Sequence, residues 1–159
     1  MYRHILIPTD GSDLSSNAIE HGIALAKSVN AKVTAVTVSP PFHAFAVEPD
    51  MITDTREHYA ARMTILAAKY LNTAKEAAVA AGVSCETMHI ERDPPYLAII
   101  ETAARESCDL IVMASHGRRG ISAIMLGSET VKVLTHSTVP VLVVRAPHQG
   151  VFTALASLT

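Results

Sequence analysis

Four short apolar runs, each cut off by a turn or helix signal, constrain this chain most. Ile5-Leu6-Ile7-Pro8-Thr9 and Leu110-Ile111-Val112-Met113-Ala114 are apolar on both faces, the pattern of strands buried in the middle of a sheet. Residues 32–38 and 141–144 are rich in β-branched side chains and predict two more strands. Helical patterns separate them. Ala18, Gly22, Leu25, Ala26 and Val29 recur on one helix face, with Ser12 or Asp13 as N-cap and Asn30-Ala31 closing the helix. Residues 56–81 are rich in Ala, Leu, Lys and Glu, and Gly82 follows as a stop. Residues 84–90 alternate weakly and predict a further strand. Pro94 suits a helix start, with the helix running to residue 107, and residues 128–136 predict the last helix. Strict β-α alternation requires a parallel sheet with right-handed crossovers and helices on both faces, an α/β doubly wound architecture.

Residues 39–54 contain Pro40, Pro41 and Pro49 and no period. They predict a long loop of the functional or mobile kind. The 159 residues fit one domain, which at this size buries enough surface to need no staple. Hydrophobic residues make up 49% and charged residues only 18%, so much of the surface is small and polar or covered by a partner. A net charge of −2 gives no electrostatic footprint for nucleic acid. No apolar run approaches the roughly 20 residues of a membrane span, and the first residues are too short an apolar stretch for a signal peptide. Cys85 and Cys108 show no CxxC spacing. They read as reduced, half-buried thiols of a cytoplasmic protein. The histidines show no HExxH or other metal-type cluster, so no metal site on protein ligands is expected.

The strongest chemical signal directly follows a buried strand. Ala114-Ser115-His116-Gly117-Arg118-Arg119-Gly120 leads, after a few residues, to Gly127-Ser128 at a helix start. Glycines let backbone N–H groups approach a phosphate, and a helix N-terminus adds unpaired donors and a positive dipole end. Ser128 adds a hydroxyl, and Arg118 and Arg119 are charges able to pair with phosphates. Neither a Rossmann fingerprint nor a Walker motif is present. The same glycines equally suit a loop that merely needs turns. His116 invites a catalytic reading, but no Ser–His–Asp arrangement can be assigned, and no catalytic residue is expected. Gly117-Arg118-Arg119-Gly120 also spells the loop of an RNA-binding KH domain, although the order of elements is wrong for it.

From end to end, apart from the tail, the chain resembles the universal stress protein family. The family's nucleotide motif, G-x2-G-x9-G-[ST], falls on Ala114, Gly117, Gly127 and Ser128. Pro8-Thr9-Asp10-Gly11-Ser12, the run at 109–113 and the ending at 137–144 match as well. The resemblance implies a universal stress protein domain over residues 1–146 and a C-terminal tail over 147–159. It implies a Rossmann-like five-stranded sheet of order 3-2-1-4-5, and a regulatory protein of stress response that binds ATP, with Mg²⁺ on the phosphates, and is not an enzyme. The alternatives are a member that binds no nucleotide and acts through protein contacts, and a slow ATPase. Carried over residue by residue, Pro8, Thr9, Asp10, Val38 and Met113 hold the adenosine. Gly117, Arg118, Gly127 and Ser128 hold ribose and phosphates, and Glu129 and Thr130 offer backbone N–H groups. Ala114 departs from the motif. A left-handed backbone there would strain it, whereas a close approach alone would tolerate one methyl. In that strand order Val141–Val144 is an edge strand with nothing to blunt it, which together with the resemblance implies a homodimer through that strand.

Overall fold

The computed structural model describes residues 1–42, 55–117 and 126–145. Among them strands and helices alternate: β1 (His4–Pro8), α1 (Asp13–Val29), β2 (Lys32–Ser39), α2 (Arg56–Ala81), β3 (Cys85–Glu91), α3 (Pro95–Arg105), β4 (Leu110–Ala114), α4 (Ser128–His136) and β5 (Val141–Val144). The strands form one sheet in the order β3-β2-β1-β4-β5, and every neighbouring pair is parallel. The expected architecture and strand order are both present.

The two-sided apolar runs sit at the centre. All of β4 is buried, and so is β1 except Pro8. Side chains alternate across the sheet, which divides the core in two. Ile5, Ile7, Val33, Leu110 and Val112 pack with α1 and with Leu71, Ala74 and Ala78 of α2. Leu6, Val36, Ile111 and Met113 pack with Ile99 and Ala103 of α3 and Val133 of α4. The buried face of α1 is broader than its sequence period suggested. Leu14, Ile19 and Ile23 are buried with Ala18, Gly22 and Ala26, while Leu25 and Val29 are only partly buried, and α1 shares one core cluster with the sheet and α2. Cys108 is buried rather than half-buried, and Cys85 is intermediate; both are free thiols. Burial pushes the Cys108 thiol up to about 11, with Glu106 and Asp109 adding to the effect.

Helix ends follow their capping residues. The Ser12 side chain accepts from Ser15 N–H at 3.2 Å, and Asn30 closes α1 in the left-handed region. Gly82 closes α2 in the same way, with φ +71°.

The amino end of the sheet is pinned by one carboxylate. Asp109 accepts from Arg3 N–H at 2.9 Å and His4 N–H at 3.0 Å, and its own N–H donates to the His4 carbonyl at 2.9 Å. Burial opposes ionisation of Asp109, but these backbone donors hold its carboxyl below the usual range. His4 itself is buried. Its Nδ1 lies 2.9 Å from the Glu106 carbonyl and its Nε2 2.8 Å from Thr34 Oγ1. A carbonyl can only accept, so Nδ1 carries the proton of the neutral ring and Nε2 accepts from Thr34. Burial, reinforced by Lys32, lowers the His4 pKa.

Candidate functional site

The strand order reverses between β1 and β4. The crevice beyond their carboxyl ends is where open α/β sheets hold ligands. Two turns meet there. From β1 the chain passes through Thr9, Asp10, Gly11 and Ser12 into α1. From β4 it passes through Ser115 and His116 to Gly117.

The first turn is internally braced. Thr37 Oγ1 donates to the Thr9 carbonyl at 2.7 Å, and the Thr9 and Ser15 hydroxyls lie 3.0 Å apart. Asp10 Oδ1 accepts from Ser12 N–H at 3.0 Å, which sets the carboxylate's direction. Gly11 has φ +76°, and a β-carbon there would overlap the Tyr70 ring of α2. Glycine is therefore required on both conformational and spatial grounds.

The second turn closes on the first. A β-carbon on Gly117 would overlap Asp10 Oδ2. Gly117 is thus bare because the Asp10 carboxylate occupies that space. The start of α4 returns to the same place. Gly127 N–H donates to the Ser115 carbonyl at 2.8 Å, and Thr130 Oγ1 donates to the Ala114 carbonyl at 3.0 Å. Gly127 is the N-cap, and no side chain caps α4 there. The contrast with α1, whose first turn is served by Ser12, leaves α4 as the helix start able to meet an outside acceptor.

The residues expected at the site divide into groups. Asp10 and Gly117 are in contact, and Gly127 and Thr130 are tied to the end of β4. Val38 and Met113 share the α3–α4 face of the sheet, with Met113 buried and Val38 partly so. Pro8 ends β1 and Thr9 is buried. Ser128 is exposed. The Thr130 hydroxyl is already spent on Ala114, so only its backbone is left for a ligand. Ala114 is an extended residue of β4, in register with Val144, and is buried. Its backbone is not left-handed, so the strain considered from the motif does not arise. Arg118 lies outside the described residues, as does most of the expected 39–54 loop. His116 is at 3.2 Å from Ser115 Oγ through Nδ1.

The Glu129 side chain does something its sequence did not announce. Oε2 accepts from Tyr96 N–H at 2.9 Å, and Oε1 lies 2.9 Å from Lys132 Nζ. The hydrogen bond to this carboxylate holds the Lys132 ammonium above its usual range. The available signal was Pro94-Pro95, a helix start with no side-chain acceptor of its own.

A parallel sheet whose strand order reverses between β1 and β4, with helices on both faces, makes this a doubly wound α/β protein. A model of the universal stress protein family matches residues 1–145, and the chain belongs to that family. It is 35% identical over 151 residues to universal stress protein MJ0531 of Methanocaldococcus jannaschii, a match covering 92% of this chain and 84% of that one. Among solved structures it resembles the hypothetical protein MJ0577 with a TM-score of 0.79 and 28% identity over 94% of this chain and 99% of that one. A universal stress protein solved in complex with cAMP superposes with a TM-score of 0.64 at 26% identity, covering 91% and 97%. Among the described residues no helix is long and apolar enough to cross a membrane.

Proposed function

We propose that this protein is a cytoplasmic, regulatory stress protein that binds ATP over the carboxyl ends of β1 and β4. The observation that carries the reading is the contact of Asp10 with Gly117 beside an α4 start that no side chain caps. The two ends of such a cleft want opposite chemistry. A carboxylate oriented by Ser12 N–H is an acceptor that suits the amine and hydroxyls of an adenosine. Backbone N–H groups at a helix start seek acceptors, which phosphates supply. A nucleotide carries both a donor end and a polyanionic end.

The residues fit the group. Asp10, with Pro8, Thr9, Val38 and Met113, would take the nucleoside. Gly117, Arg118, Gly127, Ser128 and the N–H groups of Glu129 and Thr130 would take ribose and phosphates, with Mg²⁺ carried by the phosphates. When bound, the nucleotide would supply a signal state for a regulatory protein. The cAMP bound by a family member of similar fold supports an adenine ligand.

A second reading has its own support. Ala114 stands where the motif has glycine, and Val131, Leu134 and Leu142 are apolar yet exposed by 45%, 41% and 43% on α4 and β5. Both suit a member that acts through protein contacts. The same surface borders the β5 edge, through which we place a homodimer.

Titration calorimetry of ATP against the wild type and Gly127→Val separates the readings. A β-carbon at 127 would lie 3.0 Å from His116 Cα, so valine forces α4 away from the β4 turn. Weaker binding by the variant is expected. Equal affinity would remove the site from this cleft, and no wild-type binding at millimolar ATP would leave the protein-contact reading.

A further inference from the structure

Helix α3 begins with a deficit. Its N-cap is Pro94, which has no side-chain acceptor, and its first helical residue is Pro95, which has no N–H. Tyr96 N–H is therefore the first donor of the helix, and nothing local receives it. The acceptor comes from another helix. Glu129 Oε2 takes that proton at 2.9 Å, placing a negative charge at the positive end of α3. The contact is reinforced along one face of α4. Lys132 binds the other carboxylate oxygen at 2.9 Å and stands 5.4 Å from the centre of the Tyr96 ring. His136, one turn further, packs on that ring at 5.5 Å. Residues 129, 132 and 136 recur at helical spacing, so Tyr96 adds a directional tie to α4 beside the packing of Val133 on Ile99 and Ala103.

Glu129 belongs at the same time to the α4 first turn, immediately after Ser128. Resting on the nucleotide reading above, we infer that Glu129 is a positioning residue for the phosphate end of the cleft: its carboxylate caps α3 and thereby aims the first-turn N–H groups of α4. The arrangement also solves an electrostatic problem. A free carboxylate next to Ser128 would repel a polyphosphate. Here its charge is engaged by Tyr96 N–H and by Lys132, leaving the backbone as the feature turned to the ligand. The remaining ties of α4, from Gly127 to Ser115 and from Thr130 to Ala114, hold its start to β4. They do not reach α3, where Val133 supplies apolar packing and Glu129 adds the polar, directional tie.

The role separates ligands by their phosphates. In Glu129→Ala, ATP affinity falls about tenfold as the α4 start loses its alignment, while adenosine affinity stays within about twofold. Glu129→Gln keeps an acceptor for Tyr96 N–H and recovers most of the loss. Glu129→Asp keeps the charge but is one methylene too short, so it behaves like alanine and stands in should that variant fold poorly. Amide exchange at Tyr96, followed without nucleotide, speeds up in the alanine and aspartate variants and not in the glutamine variant. Four results overturn the inference. Tyr96 N–H still protected in both short variants would remove the cap. Tyr96 N–H exposed with ATP affinity unchanged would make the clamp structural only. Equal losses for ATP and adenosine would deny any selective effect on the phosphates. Absence of ATP binding by the wild type itself would overturn the nucleotide reading and the positioning role with it, and the Tyr96 exchange data would still report on the cap.

Discussion

Asp10 and Gly117 lie on turns more than 100 positions apart in sequence, yet a single β-carbon on Gly117 would overlap the Asp10 carboxylate. The conflict involves the tip of a side chain rather than backbone, so it can be relieved by turning Asp10 away. Gly117→Ala is expected to leave stability within about 1 kcal/mol of the wild type and to weaken ATP binding about tenfold to a hundredfold, because the displaced carboxylate would lose the ligand hydrogen bonds we propose for it. Calorimetric titration with a parallel melting curve checks both halves. A stable variant with wild-type affinity would take Asp10 out of the site.

Gly11→Ala has no such relief. The left-handed backbone costs about 1–2 kcal/mol, and the new methyl runs into the Tyr70 ring, adding about 1–3 kcal/mol. Urea unfolding of Gly11→Ala, Tyr70→Leu and the double variant would show a double-mutant loss smaller than the sum. Additive losses would mean that the ring is not the obstacle.

Ala114→Gly relieves no strain, since Ala114 is extended in β4. It removes a buried methyl and loosens a strand, so stability falls by about 1 kcal/mol and Tm by about 2–4 °C. ATP affinity should not drop. A variant that melts higher than the wild type would show that the alanine backbone is strained after all.

His4 makes the protein sensitive to mild acid. Its folded pKa is lowered by burial and by Lys32, against weaker opposing effects of the Glu106 carbonyl, Glu86 and Asp109. The unfolded chain, with an ordinary histidine near pH 6.5, therefore takes up its proton first as pH falls. Stability is full above that point and declines through it toward the folded value. The urea midpoint should drop between about pH 7.5 and about pH 5.5, and His4→Gln should flatten that slope. Asp109, whose folded pKa is depressed, adds a separate loss only below about pH 3.9. Identical slopes for wild type and His4→Gln would clear His4 of the effect.

The β5 edge offers a selective probe of the proposed dimer. Pro140 and Val144 carbonyls accept from Ile111 of β4 and from Ser115 just past its end, so the alternate residues Val141 and Val143 direct their backbone groups outward. Val143→Pro removes an outward donor and spares the ladder to β4. Sedimentation should show a wild-type dimer and a variant with dimer affinity reduced about tenfold or more. A wild-type monomer at micromolar concentration would sink the dimer, and a dimer unaffected by proline would move the interface elsewhere.

What the sequence determined by itself were the properties carried by neighbours along the chain. The apolar runs at 5–7 and 110–114 declared two central strands, Gly82 and Asn30 declared helix ends, and the alternation declared a parallel sheet. The matched glycines pointed to the crevice. Properties made by residues distant in the chain were decided only in the tertiary structure. Nothing local to Glu129 says that its carboxylate caps α3, because the orphaned N–H belongs to Tyr96, 33 positions earlier. Nothing near His4 announces a buried ring, because the acceptor and donor that permit its burial come from Glu106 and Thr34. Ala114 is the instructive middle case. Its departure from the motif was legible at once, but whether it is strained depends on its backbone, and that is set by pairing with Val144 across the sheet.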